Sequence, residues 1–289
     1  MSAADKAVER LRASIEGGDL YQALQLFKTQ HARAKKKGDV TQALELAFRG
    51  ANLMLEKKEV NSGSELARDF LDLLKEQPEF NNDKVLAELL LIEERFRALD
   101  GEEASREGKR FIKGAIDLTA ERGPWPAGDP ALHWQAALMA LKESDVLGAT
   151  KHMLHAHRPE EFASTVAKWA KVDRAEDADL YLARAVLQLL CLENLRDANA
   201  FNKAYRAEFP DMKSPLAQFI EYLLKVLERD AYPLFVALRQ KYAPAISRGN
   251  TQASNFDAYL DKIASVFFGV APAKSGMASM MESLMKGLF

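Results

Sequence analysis

The chain has 289 residues, 48% of them hydrophobic, with 40 Lys and Arg against 42 Asp and Glu and a formal net charge of −2. That balance removes any global attraction to nucleic acid or an anionic membrane, and the apolar fraction is enough for one large core or two smaller ones. A single cysteine, Cys191, excludes an intramolecular disulfide; its place in the apolar run from Val186 to Leu192 reads as a small buried hydrophobe.

The first eleven residues include Asp5, Lys6, Glu9 and Arg10 and no apolar stretch, which is unlike a signal peptide. No run reaches the length of a membrane span, and the densest, Leu86 to Ile92, contains Glu88. A reducing, soluble compartment, the cytosol, is expected. Apolar residues then recur three and four apart nearly throughout, without alternating β-branched runs, so the fold class is all-α. Leu20, Ala23, Leu24, Phe27 and Ala34 share one helical face. Gly18 to Leu26 reads GDLYQALQL and Gly38 to Leu46 reads GDVTQALEL. In each copy Gly can end a helix in a left-handed turn and Asp can cap the next one, while Ala23 and Ala43 allow close helix approach. Asp145 to Ala149 is a weaker echo. This is the pattern of a stacked helical-hairpin array, the alternative being coincidence in an Ala- and Leu-rich helical protein.

Between Leu20 and Gly38 there is no acidic residue, while Lys28, Arg33, Lys35, Lys36 and Lys37 accumulate. Two readings stand: cations complementing a helix C-terminus, or a docking face for an acidic protein surface. Nucleic acid fits less well, since aromatic residues for base stacking are missing beside them. Glu93, Glu94, Glu102 and Glu103 cluster near Gly101 and read as solvated helix-end charge. Arg122 to Pro130 packs three prolines and two glycines around Trp125, so no helix crosses it. The expected organisation is an N-terminal half over 1–122, a rigid break over 123–130 and a C-terminal half over 131–289, in one continuous solenoid kinked near Trp125.

In the second half, His152 and His155 can share a helix face, but His157 points elsewhere, and neither they nor His133 find the further ligands that zinc needs. There is no phosphate-cradling Gly-rich loop, nucleophile elbow or dinucleotide fingerprint, so neither catalysis, a metal nor a cofactor is expected. Leu180, Ala183, Val186, Leu187 and Leu190 form another apolar face. Prolines 78, 159, 210, 215, 233, 244 and 272 fall between periodic segments, where a missing N–H is tolerated. Trp169 to Phe268 holds more apolar residues than one helix layer needs, including Leu190, Phe219, Leu223, Phe235, Phe267 and Phe268, which suggests a permanent protein interface. After the polar loop Ser247 to Ser254 and a further helix, Met277, Met280, Met281, Leu284, Met285 and Leu288 keep helical spacing. That stripe reads either as the cap on the solenoid core or as an adaptable face for a partner groove.

Four ordered motifs resemble the Golgi-to-ER-traffic protein four family, the scaffold of tail-anchored-protein targeting. They are Gly18-Asp19-Leu20-Tyr21-Gln22-Ala23 with Gln25 and Thr29; Asn61-Ser62-Gly63-Ser64-Glu65-Leu66; Gly128-Asp129-Pro130 with His133; and Tyr259-Leu260-Asp261 with Ile263, followed by Phe267-Phe268-Gly269-Val270. The resemblance implies an α-solenoid of stacked antiparallel hairpins, TPR-like, that is no enzyme. Its N-terminal half would bind a dimeric targeting ATPase and its C-terminal half the N-terminal segment of a ubiquitin-like-domain partner. Carried over, Lys28, Arg33, Lys35 and Lys36 would contact the ATPase and Glu65 would restrain its hydrolysis. Leu24 stands where the family often has His, and Phe209 to Pro215 is too short for the β-hairpin that some members insert there. The chain alone is expected to be an elongated monomer. Two other classes remain open from the residues: a helical-repeat adaptor of a proteasome-lid or vesicle-coat kind, and a helical enzyme using the histidines.

Overall fold

The structure of the protein is a computed structural model that describes residues 3–17, 20–77, 82–251 and 254–270. Gly18, Asp19, Pro78, Pro272 and the stripe from Met277 to Leu288 lie outside them. Among the described residues every regular element is helical. The chain divides into two compact units, Met1–Glu143 and Ser144–Phe289. The division falls one helix beyond the Pro/Gly stretch.

The first unit contains α1 (Ala3–Glu16), α2 (Leu20–Lys37), α3 (Val40–Glu56), α4 (Val60–Lys75), α5 (Asn82–Arg97), α6 (Glu102–Arg122) and α7 (Pro130–Lys142). α1 pairs with α2, α2 with α3, α3 with α4, α5 with α6 and α6 with α7, and the pairs stack because α1 packs on α3, α3 on α5, α5 on α7 and α4 on α6. The apolar positions thereby meet in one core, where Leu46, Ala47, Ala51, Met54, Phe70, Leu89, Ile92, Phe96 and Leu132 are buried. Gly50 sets the spacing of the first pairs: a Cβ there would collide with the Phe27 ring of α2 and the Leu66 side chain of α4. Across the stack, Arg122 of α6 donates to the carbonyls of Lys75 and Gln77 at the end of α4. Lys142 of α7 does the same for Arg97 and Leu99 at the end of α5, at 3.1 and 2.9 Å. Cations thus satisfy helix ends two elements back.

The turn read at Gly38 and Asp39 is present. Gly38 has φ +71°, Asp39 N–H donates to Ala34 O at 3.1 Å, and the Asp39 carboxylate accepts from Gln42 N–H at 3.1 Å. The same closure recurs without glycine. Lys58, Glu193 and Asp230 all have positive φ, and the residue after each donates back to Met54, Leu189 and Val226 respectively. At the echo, Ser144 takes the left-handed conformation and Asp145 accepts from Gly148 N–H at 2.8 Å. The repeat is therefore one of backbone turn, carried by several residue types.

The Pro/Gly stretch is a hydrogen-bonded turn. Gly123 N–H donates to Thr119 O and closes α6. Gly128, at φ +102°, presses its backbone onto Ile116, and Asp129 caps α7 through Ala131 N–H at 2.8 Å. His133 bonds through Nε2 to Ala127 O at 2.8 Å and braces the same turn.

One expectation is overturned here. Glu94, Glu102 and Glu103 are exposed, but Glu93 is 1% exposed. It lies on the inward face of α5 four residues before Arg97, whose Nε stands 3.3 Å from its carboxylate. Burial pushes its pKa up to about 7, against the smaller opposing pull of Arg97.

The second unit contains α8 (Val146–Met153), α9 (Pro159–Asp173), a short 3-10 turn (Ala175–Asp177), α10 (Ala178–Cys191), α11 (Leu195–Glu208), α12 (Pro215–Glu228), α13 (Tyr232–Lys241), α14 (Ala243–Ser247) and α15 (Phe256–Phe268). Pro159 and Pro215 open helices, and Pro233 and Pro244 sit in first turns. α9 packs on α10 and α11, and α10 on α11 and α12. α15 then returns to cover α10. Cys191 is buried there, with its thiol 3.6 Å from Tyr259 O, and burial pushes its pKa up to about 12. His157 is held by Asp197 at 2.8 Å, tying the segment after α8 to the start of α11. The link from Phe209 to Ser214 contains no strand.

Candidate functional site

Two surfaces gather the residues singled out by sequence. The first is on α2 and α4. Lys28, His31 and Lys35 lie three and four residues apart and so share the α2 face turned to α4. There Lys28 pairs with Glu65, while His31 Nδ1 and Lys35 Nζ approach the two oxygens of Asp69 at 3.5 and 3.9 Å. Burial lowers the pKa of His31, with Asp69 opposing more weakly, so at neutral pH the seam holds Lys28 and Lys35 against Glu65 and Asp69.

Arg33 and Lys36 are exposed roughly a third to a half turn further around α2. The five charged residues therefore split. Lys28, Lys35 and Glu65 form an interhelix seam, and Arg33 and Lys36 face solvent. Sequence reasoning missed Asp69 and His31, although Glu65 and Asp69 at i and i+4 on α4 match the spacing of the α2 cations. Tyr21, also on α2, is exposed and adds an aromatic to this surface.

The second surface is on α13 and α15. Leu190, Phe219 and Leu223 are fully buried, so they pack the unit from inside and meet a docked molecule only through their neighbours. Phe235 is buried as well, but at the edge. Its ring lies 5.4 Å from that of Phe268, and Tyr232 completes the triangle at 6.2 Å from Phe235 and 5.3 Å from Phe268. Phe267 is half-buried beside them. Arg239 locks α13 to α15 by donating to Asp261 and, at 2.9 Å, to Asp257.

Around that clasp α13 is turned outward. Tyr232 is 37%, Leu234 53% and Val236 46% exposed, with Pro233 and Ala237 exposed between them. Contiguous apolar exposure of this kind stands out against singly scattered surface apolar residues. The Leu234-Phe235-Val236 run was its signal in the sequence, since three consecutive apolar residues cannot all face one side of a helix.

Elsewhere, a cleft of ≈ 580 Å³ in the first unit is lined by Phe96, Leu99, Met139, Lys109 and Lys142. Its two lysines are already paired, Lys109 with Glu143 and Lys142 with Asp100. Among the described residues no three His, Cys, Asp or Glu side chains are placed to hold a metal ion. Among the same residues no helix is long and apolar enough to cross a membrane.

Known proteins match this chain along its length. The family model described as Golgi to ER traffic protein 4 matches residues 37–289. A Golgi to ER traffic protein 4 homolog of Dictyostelium discoideum is 33% identical over 180 residues, which cover 61% of this chain and 57% of that protein, a little over half its length. The homolog of Oryzias latipes is 30% identical over 288 residues, covering 96% of this chain and 86% of that one. A crystal structure of C. therm. Get4 superposes with a TM-score of 0.83 at 26% identity, covering 98% of this chain and 96% of that chain. With helical hairpins, their order and the sequence in agreement, the chain belongs to the Golgi to ER traffic protein 4 family.

Proposed function

We propose that this chain is a cytosolic scaffold in the targeting of tail-anchored membrane proteins to the endoplasmic reticulum. It bridges a dimeric targeting ATPase, bound by the first unit, and a ubiquitin-like-domain partner, bound by the second. It works by holding these proteins together and not by catalysis. The observation that carries the reading is the family match over residues 37–289, which takes in most of the first unit and all of the second. Two chemically different surfaces support it. The α2 surface presents Arg33 and Lys36 beside a charged seam, suited to a salt-sensitive contact with an acidic protein. The α13 surface presents Leu234 and Val236 around an aromatic clasp, suited to a lasting apolar contact.

The test is a titration of the full chain with each partner at two ionic strengths. Arg33→Glu with Lys36→Glu is expected to weaken the ATPase, more at low salt than at high, and to leave the ubiquitin-like partner bound. Leu234→Asp with Val236→Asp is expected to do the reverse, with little salt dependence. Glu65→Gln, which removes the carboxylate without setting a second cation against Lys28, is expected to keep the ATPase bound while relieving restraint on its turnover. Lys28 is left unchanged, because reversing it would set two carboxylates together inside the seam. Failure of the wild-type chain to bind either partner would return the reading to a helical-repeat adaptor of another complex.

A further inference from the structure

The link between α5 and α6 joins two groups that can react with each other. Asp100 and Gly101 form the single Asp-Gly pair of the chain, and Asn-Gly does not occur. The Asp100 side chain is 93% exposed even while Lys142 holds it. Gly101 has φ +104°, which glycine adopts at no steric cost, and a Cβ built there would meet no atom within 4 Å. Among the described residues no backbone carbonyl accepts from Gly101 N–H. A carboxyl group and the backbone nitrogen that follows it are thus both open, with no β-carbon between them and solvent.

Lys142 opposes their meeting. Its Nζ donates to Asp100 Oδ1 at 3.0 Å and to the carbonyls of Leu99 and Arg97 at 2.9 and 3.1 Å. One ammonium therefore fixes three acceptors around the same link. Its hydrogen bond and charge also hold the Asp100 carboxyl below the usual carboxylate range. Ring closure needs the neutral acid, because its hydroxyl departs as water whereas a carboxylate oxygen does not.

We propose that Asp100 and Gly101 are a site of spontaneous aspartate isomerisation in the folded chain, and that Lys142 is its brake. The Gly101 nitrogen attacks Asp100 Cγ. A C–N bond forms, the Cγ–OH bond breaks, and that hydroxyl leaves with the Gly101 amide proton as one water. The product is a five-membered succinimide. Water then adds at either ring carbonyl. Opening at Cγ restores aspartate, and opening at the Asp100 main-chain carbonyl carbon leaves isoaspartate, with the main chain running through Cβ and a new α-carboxylate. Water is the only co-reactant, and the mass is unchanged. The main chain is then one carbon longer just before Gly101, whose carbonyl accepts from Ser105 N–H at 3.1 Å to begin α6. The carboxylate also moves relative to Lys142, so the start of α6 and the end of α7 lose a shared anchor.

The experiment ages the full chain for several weeks at physiological temperature and pH. An isoaspartyl methyltransferase with labelled S-adenosylmethionine counts the α-carboxylates that isomerisation exposes, and peptide mapping locates them. Expected is a second form of the tryptic peptide 98–106, equal in mass to the first, which accumulates with time and accounts for most of the methyl acceptance. Asp100→Glu should remove it, because closure from glutamate makes a six-membered ring and is far slower. Lys142→Met should raise its rate several-fold and Lys142→Arg should keep it near that of wild type, with circular dichroism unchanged in all three. A folded chain that forms no isoaspartyl 98–106 while a synthetic peptide of that sequence converts would overturn the site, as would methyl acceptance spread evenly over other aspartates. A rate for Lys142→Met equal to or below that of wild type would overturn the brake. No partner takes part, so the outcome is independent of the function proposed above.

Discussion

Replacing Glu93 by Gln should abolish one specific dependence of stability on pH. The Glu93 carboxyl is 1% exposed and its pKa is pushed up from an ordinary 4.5 to about 7, by burial first and against the pull of Arg97. The folded chain therefore holds a proton that the unfolded chain has released throughout that window. With more protons on the folded state, stability falls as pH rises from about 4.5 to 7 and is level beyond, the opposite of an ordinary salt-bridged carboxylate. A carboxyl held at 7 corresponds to a ceiling of about 3 kcal/mol, and water penetration lowers the expected loss to about 1–3 kcal/mol. Urea unfolding at pH 5 and pH 8 measures it. Glu93→Gln should change stability little at pH 5 and raise it at pH 8, and taking the difference between variant and wild type cancels other titrating groups such as Glu88. A difference independent of pH would refute the reasoning, because it would mean that the charged form is already solvated in the fold.

Three further outcomes follow from the packing. Glu193→Gly and Asp230→Gly should each raise the urea midpoint by the equivalent of about 0.5 kcal/mol, since glycine removes the left-handed strain while adding some unfolded-state entropy; a fall would contradict the turn conformation. Gly50→Val should lower stability by about 1–3 kcal/mol by wedging Phe27 away from Leu66, and Phe27→Ala in the same chain should restore part of the loss. A double-mutant cycle on Lys28 and Glu65 with alanine should give a coupling of no more than about 1 kcal/mol, fading at high salt; a larger, salt-insensitive value would mean that the seam is dry.

Helix and hairpin were legible because they depend on local pattern. The Gly38-Asp39 turn could be read since glycine announces a left-handed residue, whereas the same turn at Lys58, Glu193 and Asp230 could not, because those residues adopt it only under tertiary constraint. The family resemblance was legible from the ordered motifs, and the match over residues 37–289 bears it out. Charge pairing was not legible: Lys28 and Glu65 lie 37 positions apart, and nothing in the basic run tells which of its cations faces α4. Glu93 was misread for a related reason. A carboxylate among carboxylates looks solvated until the neighbouring helices close over it. On α13 the sequence marked apolar residues without showing which are core, and the structure separates Phe235 inside from Leu234 and Val236 outside.

The recurring turn also governs where this chain can change its length. Only two residues separate α2 from α3, and three separate α3 from α4, α10 from α11 and α12 from α13. In each the backbone is already spoken for by the bonds that end one helix and begin the next. Inserting a single residue just inside a helix would rotate everything after it by about 100° and carry its apolar stripe off the core. Natural insertions and deletions should therefore avoid these turns and gather in the longer, strand-free connection at residues 209–214. The same segment is where a tag or a reporter domain can be spliced into the chain with the least disturbance to its stacking.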